Sequence, residues 1–249
     1  MSIVLHRFAL SHFSEKARVC LDFKGLDYRV VQHQFGPEQL AVWRLSGQRK
    51  LPVIEHDGAV IHDSTAIALH LDHAFPAGEG RRALLPSDLR ARREVLELVE
   101  RIDGALGAHA PVVAFDHLQR DPAARAASLR AMLPGSPLTR AALSVSAVAS
   151  RPAMWVPAAR QRVDASFAQV RALLGELCDR LAETPYLLGD APTLADLAAV
   201  GLAYNLRYPR SAHLAAPELA GVGVPELVND PTLSRFFQWR DGVYERFLK

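Results

Sequence analysis

The stretch Leu51-Pro52-Val53-Ile54-Glu55-His56-Asp57-Gly58-Ala59-Val60-Ile61-His62-Asp63-Ser64-Thr65 decides the fold. Two short apolar runs meet at Asp57-Gly58, and Asp-Gly between such runs signals an antiparallel hairpin. Pro52 cannot donate to a ladder, so it belongs at an edge or at the first residue of its strand. The residues around it give no ground for a cis bond, since only about 5% of X-Pro bonds in folded proteins are cis. Asp63-Ser64-Thr65 supplies capping side chains, and Ala66, Ile67, His70 and Leu71 carry a helix toward Phe75-Pro76. The stretch therefore reads β-β-α.

Toward the N-terminus, Ile3 to Phe8 reads as a strand. Phe13, Ala17, Cys20, Leu21 and Lys24 then keep helical spacing, and Gly25 is placed to end that helix in the left-handed region. A second strand follows near Tyr28 to Gln32. A helix between two strands is the shortest connection that makes them parallel. With an irregular segment over Gly36 to Arg49, the order becomes β-α-β-(irregular)-β-β-α, an α/β unit.

Toward the C-terminus the texture changes. Residues 76–90 mix Pro, Gly and charge, the composition of a domain boundary. The expected division is 1–77 for the α/β domain, 78–89 for a linker and 90–249 for an all-helical bundle. Helices are predicted from Leu89 to about His109, as a pair between His117 and Ser150, from about Ala158 to Glu183, from Thr193 to Asn205 and from Pro231 to Phe247. Ser136 to Pro157 reads either as a loop or as a short helix. Thr193-x-x-Asp196 has the form of a capping box, with Pro192 and Leu197 placed for a hydrophobic staple, and is read as structural.

Composition narrows the function classes. The chain has 249 residues, enough for one large domain or two small ones. Its 29 Lys+Arg nearly cancel 27 Asp+Glu, so no strong positive field is offered to nucleic acid or an anionic membrane. The longest run free of Asp, Glu, Lys and Arg is Gly104 to Phe115, far below the roughly 18 apolar residues of a membrane span. The N-terminal run lacks a basic segment followed by an apolar core, so no signal peptide is expected and the chain is expected to be cytoplasmic. Cys20 and Cys178 belong to no CxxC pair and read as packing thiols. His70-x-x-His73 has no companion ligand spacing, so no metal is expected. Gly221-Val-Gly223 lacks the third glycine and the strand of a dinucleotide loop, so no nucleotide is expected. Arg90, Arg92 and Arg93 read as a solvated helix face or part of a subunit interface.

Two polar clusters fall at helix starts. Ser11 and Ser14 keep the spacing of a CxxC pair with hydroxyls in place of sulfurs, where free backbone N–H groups favour an anion. Capping alone also explains a serine there. Asp63-Ser64 is a second such pair, suited to an ammonium through the carboxylate and to a carboxylate through the hydroxyl and backbone.

The run Ser11 to Arg18, then Phe23-Lys24-Gly25-Leu26-Asp27-Tyr28, Lys50-Leu51-Pro52-Val53-Ile54 and His62-Asp63-Ser64-Thr65-Ala66-Ile67 together resemble the N-terminal domain of the glutathione S-transferases. Tyr186 to Leu197 is similar to the helix start of that family's helical domain. The resemblance implies a thioredoxin-like N-terminal fold, glutathione as co-substrate, a hydrophobic electrophilic small molecule as partner, a homodimer and a role in detoxification, in a bacterial-type serine-containing member. It implies that Pro52 is a cis-proline, that Val53 pairs its backbone with the cysteinyl part of glutathione, and that Asp63 and Ser64 hold the γ-glutamyl end. Phe13, Lys50 and Leu51 join that set. The segment His33 to Gln48 lies where the glycine carboxylate is usually met. Ser11 matches the residue facing the glutathione sulfur, with Ser14 the alternative one turn on. His12 stands where many relatives carry Pro. The co-substrate side is expected from His12, His109, Phe115, His117, Tyr204 and Tyr208. The implied reaction is attack of the thiolate on an electrophilic carbon, with lyase, isomerase or dehalogenase chemistry, or glutathione binding without turnover, as alternatives.

Overall fold

In the computed structural model, which describes residues 2–34, 38–78, 80–132, 141, 157–214 and 216–248, the hairpin lies where Asp57-Gly58 puts it. β3 (Val53–His56) and β4 (Ala59–His62) pair antiparallel with Ile54 opposite Ile61. Asp57 and Gly58 both take positive φ, 48° and 84°, which a two-residue hairpin of matching twist requires. β1 (Ile3–Phe8) runs parallel to β2 (Tyr28–His33) and antiparallel to β3, giving the sheet order β2-β1-β3-β4. The parallel crossover is α1 (His12–Phe23), closed by Gly25 at φ 70°. Its two closing bonds, Leu26 N–H to the Leu21 carbonyl at 3.1 Å and Gly25 N–H to the Asp22 carbonyl at 2.9 Å, satisfy carbonyls that the helix end would leave orphaned.

Two expectations change in this half. The segment expected to be irregular contains α2 (Glu38–Ser46), whose single buried residue is Val42. A helix that buries one side chain leaves little apolar periodicity to read. Strand β3 also starts after the proline, at Val53, rather than at Leu51.

α3 (Ser64–Ala74) follows the hairpin, and the strap after it is firmly held. Lys24 Nζ donates to the Arg82 carbonyl at 2.9 Å, Asp72 accepts from Leu84 N–H at 2.7 Å, and Leu84 itself is buried. α4 (Leu89–Ile102), capped by Asp88, leads into a π-helical turn, Asp103–Gly107, and on through α5 (Ala108–Arg120). The helix expected to stop near His109 thus continues eleven residues further, past Pro111 inside α5. α6 (Pro122–Met132), α7 (Pro157–Glu183), α8 (Leu194–Leu202), the short α9 (Pro225–Val228) and α10 (Ser234–Phe247) complete the helical part. Of the helix pair expected between His117 and Ser150, α6 is described; most of the segment Ser136 to Pro157 lies outside the described residues.

α8 is buried along its whole length and packs on α1 so closely that a Cβ on Gly201 would come 2.5 Å from Lys16 Cα. One apolar core therefore runs from Leu5, Leu21 and Ile67 through Leu98 and Leu174 to Leu197 and Phe236. Burying that surface is the main drive to fold. Across it lies a charged cluster: the Arg18 guanidinium meets Glu15 at 2.7 Å and Asp22 at 2.5 Å, and Tyr244 Oη donates to Glu15 at 2.8 Å. Each charge is paired, as burial demands.

Candidate active site

The two serines at the start of α1 have different surroundings. Ser11 is the N-cap: its hydroxyl accepts from Ser14 N–H at 3.2 Å, and its own N–H donates to the Phe8 carbonyl at 3.1 Å. It remains partly exposed and lines a cavity of about 370 Å³. Ser14 is 1% exposed, its hydroxyl accepts from Phe8 N–H at 3.3 Å, and it lines neither of the two cavities of the cleft. A hydroxyl at an N-cap sits in the positive end of the helix dipole with its proton free to donate outward.

A second cavity of about 500 Å³ adjoins the first. Phe13, Lys50, Leu51, Pro52, Asp63 and Ser64 all line it, and Phe13, Lys50 and Leu51 line the first cavity as well. The Leu51–Pro52 bond is cis. Asp63 caps α3 through Oδ1, which accepts from Thr65 N–H and Ala66 N–H at 2.9 Å each, while its backbone sits at φ 72°. A non-glycine residue held in the left-handed region at a cavity wall is the kind of strain found at ligand sites. Gln48, which ends the segment expected to meet the glycine carboxylate, completes this cavity together with Arg49 and His62, which sequence reasoning missed. Arg49 and Lys50 on one side and Asp63 on the other give it both signs of charge, which suits a zwitterion.

Val53 departs from its expected role. It is fully buried and paired on both sides, opposite His6 of β1 and His62 of β4, so its backbone belongs to the sheet. Leu51, on the other side of the proline, faces the cavities instead.

The expected co-substrate residues are mostly elsewhere. His109 bonds Ser166 Oγ at 3.1 Å and lines a separate recess between α5 and α7. Phe115 points outward at 62% exposure. His117 is buried, and its Nε2 has no partner among the described residues. Tyr204 donates to the Ala9 carbonyl at 3.3 Å and packs edge-on to Tyr208 within an apolar cluster. Helical spacing could not say which side of α5 turns to the cleft. Among the described residues, His12, Pro111 and Asn205 form that wall of the first cavity. Asn205 carries a buried Oδ1 without a hydrogen-bond partner among the described residues. A lone Asn past the end of α8 gives no sequence signal.

His12 is buried and its Nε2–H donates to the Gly107 carbonyl at 3.0 Å. Pro111, four residues after Gly107, has no N–H to give to that carbonyl. Burial lowers the His12 pKa from 6.5 to about 4, against smaller opposing effects from the Gly107 carbonyl and Asp103. The imidazole is therefore neutral at pH 7. Beside it, Lys16 Nζ meets Asp103 at 2.6 Å and Thr65 Oγ1 at 2.6 Å, and Thr65 Oγ1 donates to Asp103 at 2.8 Å. That triad joins α1, the start of α3 and the π turn directly behind the cleft.

Cys20 and Cys178 are free thiols away from both cavities, and burial pushes Cys20 up to about 12. Among the described residues no His, Cys, Asp and Glu cluster could hold a metal ion, and no helix is long and apolar enough to cross a membrane.

A cis-proline facing two helix N-termini on a β-α-β-α-β-β-α sheet, walled on the far side by helices, defines a thioredoxin-like domain joined to an all-helical one. The chain belongs to the glutathione S-transferase family: the profile of the family's N-terminal domain matches residues 5–81 and that of its C-terminal domain matches residues 153–242. It is 36% identical over 94 residues to glutathione S-transferase 1 of Dianthus caryophyllus, covering 35% of this chain and 39% of that protein. Over 127 residues it is 29% identical to a probable maleylacetoacetate isomerase 1 of Drosophila melanogaster, 47% of this chain and 49% of that one. The chain thus aligns with under half the length of these curated relatives. Among solved structures, glutathione transferase F2 of Populus trichocarpa superposes with a TM-score of 0.62 at 15% identity, covering 98% of this chain and 94% of that one. The β-etherase LigF of Sphingobium sp. strain SYK-6 gives 0.59 at 21%, covering 96% and 99%. At these identities the structural likeness speaks for the fold.

Proposed function

We propose that this chain is a glutathione transferase that binds glutathione along Leu51, Pro52, Asp63 and Ser64 and activates its thiol at Ser11 for attack on an electrophilic carbon. The observation that carries this reading is the joining of the two cavities through Phe13, Arg49, Lys50 and Leu51, one lined by the α3 N-terminus and the other by the Ser11 N-cap. Glutathione spans such a pair with its two charged ends in the larger cavity and its sulfur beside Ser11. The γ-glutamyl carboxylate meets the free N–H groups and Ser64 at the start of α3. The ammonium meets Asp63, and the glycine carboxylate meets Arg49 or Lys50.

Ser11 serves better than Ser14, because Ser14 is buried and its hydroxyl already accepts from Phe8. A hydroxyl donating to sulfur, with the α1 dipole behind it, favours the thiolate. Serine cannot replace cysteine in disulfide exchange, so the chemistry is addition or displacement at carbon. Asn205 and His12 supply the wall that meets the electrophile. The same thiolate would serve isomerisation or ether cleavage, so substrate profiling sets the reaction. The family resemblance further supports a homodimer and a domain boundary across 78–89.

The test is calorimetric glutathione binding beside a thiol-conjugation assay with an aryl halide. Wild type is expected to bind and turn over. Ser11→Ala is expected to bind within a few-fold of wild type but to lose 10- to 100-fold in kcat. Loss in Ser14→Ala alone would move the site one turn along, and failure of wild type to bind would overturn the reading.

A further inference from the structure

Three neighbouring strands carry a hydrogen-bonded chain that no part of the transferase reading uses. His33 ends β2 opposite Phe8 of β1, the residue whose carbonyl accepts from Ser11 N–H. His33 lines the same cavity as Ser11. Its Nε2 lies 2.9 Å from His6 Nδ1, and His6 Nε2 lies 2.8 Å from Glu55 Oε1. His6 and His33 are 8% and 9% exposed, whereas the Glu55 side chain is 41% exposed. The chain therefore leads from the cavity wall to the surface.

Its polarity follows from chemistry. A carboxylate only accepts, so His6 carries a proton on Nε2, and a neutral ring then presents its lone pair at Nδ1. That lone pair requires a donor, so His33 carries its proton on Nε2 and keeps the lone pair at Nδ1. Glu38 Oε2 lies 3.7 Å from that nitrogen and also accepts from Gln34 N–H at 2.8 Å. The groups that face His33 are thus His6 of β1, with Glu55 of β3 behind it, and Glu38 of α2; Arg49 and Lys50 share its cavity. Two carboxylates stand ready to compensate an imidazolium.

We propose that His33 is the proton acceptor of this site, oriented by His6 and Glu55, and takes the thiol proton of bound glutathione. The proposal rests on the glutathione reading above. In the step, the S–H bond breaks, the electron pair stays on sulfur, and the proton forms an N–H bond at His33 Nδ1, directly or through one water. Ser11 then donates its hydrogen bond to the resulting thiolate, and His33 later returns the proton to the leaving group or to the carbanion formed on addition. His33 is the catalytic residue here; His6 and Glu55 are positioning residues. Burial lowers the His33 pKa, with His6 adding to the effect and Glu38 opposing it, which keeps the ring neutral and able to accept near neutral pH.

The experiment follows the ultraviolet absorbance of the bound glutathione thiolate against pH in the full chain, with binding measured by calorimetry, for wild type, His33→Gln and Glu55→Gln. In His33→Gln, thiolate formation is expected to require about tenfold less acid, and kcat/KM near neutral pH to drop up to about tenfold with recovery at high pH. Glu55→Gln, altered at a half-exposed carboxylate, is expected to fold as wild type and to move the same profile in the same direction by a smaller amount. If both variants bind glutathione and ionise it along the wild-type curve, the relay is overturned while the glutathione reading stands. If wild type binds no glutathione, both fall.

Discussion

The imidazole of His12 donates to the Gly107 carbonyl at 3.0 Å, across the interface between the sheet domain and the helical one. The carbonyl it meets is the one that Pro111 cannot serve, so a side chain of α1 completes the backbone bonding of a helix belonging to the other domain.

Replacing His12 by Ala leaves that carbonyl without this donor and opens a cavity beside the Phe13 ring, whose centroid lies 4.4 Å from the imidazole. The expected loss is about 2 to 4 kcal/mol of unfolding free energy, from an unmet buried acceptor together with lost packing. Urea unfolding at pH 7.5 reads it.

The same residue sets a pH dependence. Its folded pKa of about 4 lies below the ordinary 6.5, so between those values the unfolded chain holds a proton that the folded one releases. The His12 contribution is intact above pH 6.5 and is lost as pH falls toward 4, roughly 3 kcal/mol in full. Burial lowers His70 and His33 as well, which adds to the slope in the same direction. The stability gap between wild type and His12→Ala is expected to narrow from pH 7.5 to pH 4.5. A constant gap would mean that His12 titrates normally.

Two glycines near the site separate stability from binding. A Cβ on Gly201 meets the Lys16 backbone at 2.5 Å, so Gly201→Ala must part α1 from α8 and is expected to cost about 2 to 4 kcal/mol. A Cβ on Gly107 meets the far end of the Phe13 ring at 2.8 Å, and that ring can swing. Gly107→Ala is expected to cost about 1 kcal/mol or less while raising the glutathione dissociation constant several-fold, because Phe13 lines both cavities. Thermal melts and calorimetry of the two variants separate the effects.

The capping-box reading of Thr193 and Asp196 understates what the carboxylate does. Asp196 Oδ2 accepts from Thr193 N–H at 2.8 Å, and Oδ1 accepts from Leu187 N–H at 2.9 Å, fastening the preceding loop to the helix. Asp196→Ala is expected to lose about 2 to 3 kcal/mol in urea unfolding, against about 1 for Thr193→Ala. Equal losses would reduce the box to an ordinary cap.

The sheet half was legible because its signals are local. Asp57-Gly58 fixes a turn and Gly25 a helix end through positive φ that few other residues tolerate, and Ser11 and Asp63 mark the two helix starts with capping side chains. Apart from His12, the cleft wall was not legible, since whether His109 or Asn205 faces it depends on how α5 and the end of α8 are rotated against the sheet. The π turn at Asp103–Gly107 resets that rotation for all of α5, and a single extra residue in a turn leaves no periodic mark. Val53 failed for a related reason: register decides which residue near a proline keeps an open backbone edge, and composition does not carry register.

The Lys16, Asp103 and Thr65 triad places an ammonium with no solvent exposure between the two domains, one residue from Ser64. Drawing the domains apart would break the ion pair and hydrogen bonds that this ammonium makes with Asp103 and Thr65. The triad thus ties the two sides of the cleft together from behind. In the proposed transferase, a cleft tied in this way would sort electrophiles by fit, as a gauge sorts by size.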